Sequence, residues 1–110
     1  MATYEDFQKL DIRVGKIVDV QDFPEARKPL YKVKADFGPE IGVRQSAVGA
    51  THHYTKEQLH GKLILGLVNM SPKQIGSFTS EFLTLGVSDE ENRCILIRPD
   101  QEVFLGSKLY

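Results

Sequence analysis

The feature that most constrains this chain is a succession of short strand-like runs separated by glycine, proline and polar turns. In the clearest run, 31–37, Tyr31, Val33, Ala35 and Phe37 share one face, and charged residues occupy most of the other. A period of two is that of a half-buried β-strand. Short runs at this spacing are typical of a small all-β sandwich or barrel.

Five such runs are long enough to form one sheet. In the first run, Ile12, Val14, Val18 and Val20 are in one phase, and Gly15 predicts a bulge or a sharp curve. The five runs are 12–20, 31–37, 41–47, 63–68 and 83–87, followed by shorter runs at 94–97 and 103–105.

Two capping boxes predict two short helices. Thr3 with Asp6 begins one before the first strand, and Thr55 with Gln58 begins another, which Gly61 ends. A helix between strands 3 and 4 is the arrangement of the OB barrel. The sequence therefore predicts an all-β, five-stranded OB-fold barrel with a short helix between strands 3 and 4 and short terminal extensions.

Length and charge limit the function classes. The 110 residues suit a single domain, 1–110, and 14 basic against 15 acidic residues leave a formal charge of −1. Binding to nucleic acid by general phosphate neutralisation usually needs a basic excess, so such binding would require a local patch. We expect a cytoplasmic protein without membrane insertion, because neither a signal peptide nor a spanning apolar run is found.

Motifs for catalysis and for metal binding are weak. His60-Gly61-Lys62 lacks the upstream glycine and the Ser or Thr of a phosphate loop. His52 and His53 are neighbours, and side chains of neighbours in an extended chain point in opposite directions. Cys94 is the single cysteine, so the chain forms no internal disulfide. We expect a binding protein rather than an enzyme, with neither metal nor cofactor.

The segment 69–82 carries the strongest signal for binding. It joins strands 4 and 5, and it mixes apolar side chains with hydrogen-bonding ones where a tight turn would suffice. Its candidate residues are Asn69, Met70, Lys73, Ile75, Ser77, Phe78, Ser80 and Phe82. The alternative is that its aromatic residues plug the barrel end or a subunit interface.

A second signal is basic. Lys32, Lys34 and Arg44 lie on the expected outward phases of strands 2 and 3, and Arg27-Lys28 precede them in the chain. Together they predict a basic stripe on one face of the barrel. An ordinary solvated sheet face explains the two lysines nearly as well.

Several spaced motifs resemble one family over nearly the whole chain. Asp11-Ile12-Arg13-Val14-Gly15, Phe23-Pro24-Glu25-Ala26, Asn69 with Pro72, and Ser80-Glu81 resemble the tRNA-binding domain of some methionyl-tRNA synthetases and of free-standing tRNA-binding proteins. Lys73-Gln74-Ile75-Gly76 is closer to the CsaA-type export chaperones, a branch of this family.

The resemblance implies an OB-fold homodimer with chaperone-like activity. Such a protein binds unfolded or precursor polypeptides in connection with protein export and the SecA motor. The dimer is expected to form through the terminal extensions, 1–10 and 100–110. Apolar residues there are Tyr4, Phe7, Leu10, Val103, Phe104, Leu105 and Leu109.

Two main functional hypotheses follow, with a third that is simpler. In the first, a pocket of Met70, Ile75, Phe78 and Phe82 binds polypeptide. Hydrogen-bonding side chains (Asn69, Ser46, Ser77 and Ser80) and cations (Lys32, Lys34, Arg44 and Lys73) surround that pocket. In the second, the chain is a structure-specific tRNA-binding protein that uses the basic stripe. In the third, it is an adaptor for one folded partner.

Overall fold

The computed structural model describes residues 1–110 as nine strands and three short helices. Their bounds in chain order are α1 Tyr4–Gln8, β1 Ile12–Asp22, β2 Tyr31–Asp36, α2 Gly38–Ile41, β3 Val43–Val48, α3 Lys56–Leu59, β4 Leu63–Leu67, β5 Lys73–Ile75, β6 Phe78–Ser80, β7 Leu83–Thr84, β8 Gly86–Ser88 and β9 Cys94–Leu96.

Five antiparallel strands form a nearly closed barrel in the order β3-β2-β1-β4-β7. The seam between β3 and the residues that lead into β7 is closed mainly by side chains, with a backbone bond from the Glu81 N–H to the Gln45 carbonyl at 2.8 Å. The Gln45 N–H donates to the Glu81 carboxylate at 3.0 Å, and the Ala47 N–H donates to Ser80 Oγ at 3.2 Å. With α3 between β3 and β4, this barrel confirms the predicted fold class.

Both predicted helices begin at their capping boxes. Thr3 Oγ1 accepts the Asp6 N–H at 3.2 Å, and Thr55 Oγ1 accepts the Gln58 N–H at 3.1 Å. In each box the partner side chain accepts the cap residue's own N–H. After α3 the chain turns at Gly61, whose φ of +85° favours glycine.

The first strand departs from the predicted pattern. Its pairing with β2 shifts between Ile17 and Asp19, so Val18 occupies a bulge and lies exposed. The bulge is therefore at Val18 rather than at Gly15. Gly15 instead makes room for the core, because a Cβ there would lie 2.7 Å from the Phe37 ring.

Three other predicted features, a connection and two strands, also differ from the structure. The segment 69–82 contains a hairpin, β5–β6, whose turn includes Gly76 at φ +60°. The predicted fifth strand, 83–87, is divided into β7 and β8, and β8 pairs with β9 in a separate ribbon. The run 103–105 forms no strand, although the tail after it bonds to β1, with the Leu109 N–H donating to the Ile12 carbonyl at 2.8 Å.

Phe37 lies at the centre of the core and is fully buried. The Phe82 ring meets it edge-on, with centroids 4.9 Å apart. Gly15 and Gly66 allow this pair of rings to sit directly against the backbone of β1 and β4. The inward residues of the alternating run, Val33 and Ala35, are also buried, as the period of two predicts.

Candidate ligand-binding face

The outer face of β2 and β3 is flanked by the β1–β2 loop and by the segment that carries the β5–β6 hairpin. Register pairs Lys32 with Ala47 and Lys34 with Gln45, and these residues alternate with the buried Val33. OB barrels use this strand 2–3 face and these two flanking loops to bind ligands. Two neighbouring grooves lie on it.

The lysine groove has a volume of about 230 Å³ and is lined by Asp19, Gln21, Lys32, Val33, Lys34, Gln45 and Phe78. Lys32 Nζ lies 4.6 Å from the ring centroid of Phe23 and 5.4 Å from that of Phe78. The two rings pack edge to face with centroids 5.4 Å apart. Cation–π attraction and ring packing therefore hold this ammonium group between the two flanking loops.

The apolar groove has a volume of about 260 Å³ and lies at the edge of the face, between the β1–β2 loop and residues 70–83, with Ala47 as its one residue from β2 or β3. Its lining is mostly hydrophobic, and Met70 and Leu83 remain 41% and 48% exposed. Its lining residues are Lys28, Leu30, Ala47, Met70, Ser71, Lys73, Ile75, Ser80, Phe82 and Leu83. Exposed apolar side chains in a concave site are what an apolar ligand group needs.

The structure divides the predicted pocket between these grooves. Phe78 lines the lysine groove, whereas Met70 and Ile75 line the apolar groove with Lys73. Ser77 lies exposed at the hairpin turn, outside the lining of both grooves.

The expected position of Arg44 on the outward face is wrong. Register places Arg44 opposite Ala35, which is fully buried, so Arg44 is in the inward phase of β3. Its Nη1 donates to the Val68 carbonyl at 3.1 Å. The basic stripe therefore contains Lys32 and Lys34 but lacks Arg44.

Phe82 and Ser46 lie inside the barrel. Phe82 is 2% exposed and Ser46 is 1% exposed. Ser46 Oγ donates to the Phe82 carbonyl at 2.7 Å and lies 3.1 Å from Ser80 Oγ. These contacts join β3 to β6 and to the residue before β7. Phe82 belongs to the core, and it also borders the apolar groove.

The oxygen and the nitrogen of the Asn69 side-chain amide both form hydrogen bonds within the chain. Its Oδ1 accepts the Asp11 N–H at 2.9 Å, and its Nδ2 donates to the Lys9 carbonyl at 2.8 Å. These bonds tie the end of β4 to the junction between α1 and β1. Asn69 lines neither groove.

The two grooves concentrate positive charge. Lys28, Lys32, Lys34 and Lys73 line them, and none of the four takes part in an ion pair. Asp19 is the one acidic side chain in either lining, which gives a formal charge of +3. Because the whole chain carries −1, the remaining residues carry −4. A weakly acidic protein thus presents a basic face.

Phe23 and Gln45 are site residues for which the sequence predicted no binding role. Phe23 is 6% exposed and supports the Lys32 ammonium group, and Gln45 Nε2 donates to the Thr79 carbonyl at 3.0 Å. Phe23 was recognised only as part of the Phe23-Pro24-Glu25-Ala26 motif, and its contact with Phe78 crosses 55 positions of the chain.

Two titratable groups with shifted pKa values lie outside both grooves. Backbone N–H groups of Arg93 and Glu91, together with His53 Nε2 at 2.7 Å, lower the pKa of Asp89 to about 2. Burial raises the pKa of the Cys94 thiol. The structure contains no cluster of three or more His, Cys, Asp or Glu side chains suited to a metal ion.

The terminal segments leave apolar side chains uncovered. Tyr4 is 71% exposed, Leu10 43%, Val103 43%, Phe104 90% and Leu109 37%, whereas Phe7 and Leu105 are half-buried. None of the helices combines the length and the apolar character that a membrane crossing requires.

A family model described as "Putative tRNA binding domain" matches residues 12–108. Methionine–tRNA ligase of Thermococcus onnurineus is 45% identical over 106 residues, which are 96% of this chain and 14% of that enzyme. The chain therefore spans about one seventh of the curated relatives that it matches.

Two solved structures match over nearly their full length. The CsaA chaperone protein of Picrophilus torridus is 45% identical with a TM-score of 0.94, and each chain is covered completely. The chaperone CsaA of Bacillus anthracis is 39% identical with a TM-score of 0.94, over 100% of this chain and 99% of that one. The chain belongs to the tRNA-binding-domain family and is a CsaA-type member of it.

Proposed function

We propose that this protein binds extended segments of unfolded polypeptide in the apolar groove. The observation that carries the proposal is the set of apolar side chains there, the exposed Met70 and Leu83 and the half-buried Ile75. They lie beside the unpaired ammonium groups of Lys28 and Lys73. The full-length likeness to two proteins named as chaperones supports the same conclusion.

The size of the groove sets the expected strength of binding. A volume of about 260 Å³ accommodates one or two side chains of a ligand. Full burial of one large apolar side chain is worth about 1.5–3 kcal/mol, so a single groove binds weakly. Weak and sequence-tolerant contact suits a protein that must release its ligand.

A homodimer is part of the proposal. The exposed apolar side chains of α1 and of the tail, such as Tyr4 and Phe104, offer a surface for a second copy. Two grooves on one dimer would bind one long polypeptide with avidity. We further propose that the protein acts in the cytoplasm, upstream of export, where the SecA motor is the expected partner.

Substitution in the groove tests the proposal. Met70→Ser and Ile75→Ser remove apolar groove surface, whereas Val87→Ser changes a residue that is 55% exposed on β8, outside the groove. Titration calorimetry with a reduced, carboxymethylated polypeptide should show affinity reduced by about fivefold or more for the groove variants, since about 1 kcal/mol is lost with each side chain. Equal affinity in all three variants and the parent would contradict the proposal.

A second candidate, tRNA binding, is favoured by the lysine groove. Lys32, Lys34 and Phe78 combine two ammonium groups with an aromatic ring, as a site for phosphates and bases requires. The similarity to methionine–tRNA ligases supports it. Lys32→Gln should weaken tRNA binding and reduce its dependence on salt, whereas the exposed Lys16 of β1 provides the matched control, Lys16→Gln. Equal salt dependence in both variants would count against this candidate.

A further inference from the structure

Asn69 lies just after β4 and just before residues 70–75, which form one wall of the apolar groove. The Val68 N–H donates to the Asp11 carbonyl at 2.9 Å, and the Asn69 amide then bridges Asp11 N–H and the Lys9 carbonyl. The bridge requires an acceptor and a donor on one short side chain, which an asparagine amide supplies. An aspartate would keep the acceptor and lose the donor.

The wall that follows Asn69 has few other attachments to the barrel. Met70, Lys73 and Ile75 contribute to the groove from this wall, and β5 pairs only with β6. The other side of the hairpin is held separately, by the Gln45 side chain at the Thr79 carbonyl, by the Ala47 N–H at Ser80 Oγ, and by the Phe78 ring against Phe23. The start of the wall is therefore fixed by the Asn69 bridge, next to the hydrogen bonds that Val68 makes with Asp11 and Arg44.

We propose that Asn69 is a positioning residue that holds this wall in its binding geometry and couples the α1–β1 junction to the apolar groove. The inference rests on the proposed function, because it concerns the affinity of that groove for polypeptide. If α1 contributes to a dimer, the same side chain links dimer formation to ligand binding.

Two variants test the bridge. Asn69→Ala removes both bonds, and Asn69→Asp keeps the acceptor for the Asp11 N–H while it faces the Lys9 carbonyl with a negative charge. Each of these exposed hydrogen bonds contributes modestly to the stability of the wall. We therefore expect an affinity for reduced, carboxymethylated polypeptide about three- to tenfold lower than that of the parent. Amide hydrogen exchange should also become faster in 73–80, while the β1 and β2 amides remain protected.

Thr55→Ala is the matched control, because it removes an exposed side-chain bond to the Gln58 N–H on α3, away from the groove. The inference is overturned if exchange in 73–80 is the same in the Asn69 variants and the parent, or if the Thr55 variant loses as much affinity. If the parent itself does not bind polypeptide, the proposed function fails, whereas unchanged exchange with intact binding defeats only the role of Asn69.

Discussion

Truncation of Phe82 distinguishes a core residue from a ligand contact. Phe82→Ala removes a ring that is 2% exposed and that packs on Phe37 at a centroid distance of 4.9 Å. Phenylalanine truncations in cores cost about 3–5 kcal/mol. With an unfolding entropy of about 2.1 cal/mol/K per residue, the full chain has about 0.23 kcal/mol/K, so the midpoint should fall by about 13–22 °C.

Phe78→Ala is the informative comparison, because the two residues belong to the same segment. Phe78 is half-buried and packs on Phe23 and Lys32 at the lysine groove. We expect a smaller loss of about 1–2 kcal/mol, or about 4–9 °C. Thermal unfolding followed by far-ultraviolet circular dichroism measures both variants. Equal midpoints would refute the division of these aromatics between the core and the binding face.

Three further outcomes are expected. Gly66→Ala should lower the free energy of unfolding in urea by about 1–3 kcal/mol, because its Cβ would lie 2.8 Å from Phe37 Cζ. Gly49→Ala, whose Cβ would meet its nearest neighbour at 3.7 Å, should be better tolerated. Asp89 has a folded pKa of about 2, below its ordinary value, so its stabilisation is present above about pH 4 and is lost as the pH falls towards 2. Asp89→Asn should therefore flatten the fall in stability over that range, and a parallel curve would contradict the assignment. The raised pKa of Cys94 predicts slower alkylation of the folded protein than of the unfolded protein in urea, as a thiol-reagent time course will show; equal rates would contradict this.

The parts of the fold that follow from local rules were predictable. Strict alternation in 31–37 identified β2 and its buried face, and the boxes at Thr3 and Thr55 located α1 and α3. The Val18 bulge was not predictable, because it depends on how β1 pairs with β2. An uninterrupted period of two therefore gave the wrong face for Val18.

In the binding face, too, local patterns predicted some positions, while others depended on pairing between distant strands. Lys32 and Lys34 could be placed from the alternation within β2, but the face of Arg44 depends on the register between β2 and β3. Composition marked 69–82 as a binding segment, yet the position of the β5–β6 turn decides that Phe78 faces the groove and Phe82 the core. The register between distant strands and the position of this turn cannot be inferred from a single sequence.

Polypeptide binding is tested by titrating the purified protein with a reduced, carboxymethylated polypeptide and with folded tRNA. Each titration is carried out at 50 mM and at 200 mM salt, with the parent and with Met70→Ser. We predict polypeptide binding that weakens less with salt than tRNA binding does and that weakens further in the Met70 variant, since Met70 lies in the apolar groove. Binding to tRNA alone, steeply weakened by salt and unaffected by Met70→Ser, would contradict it.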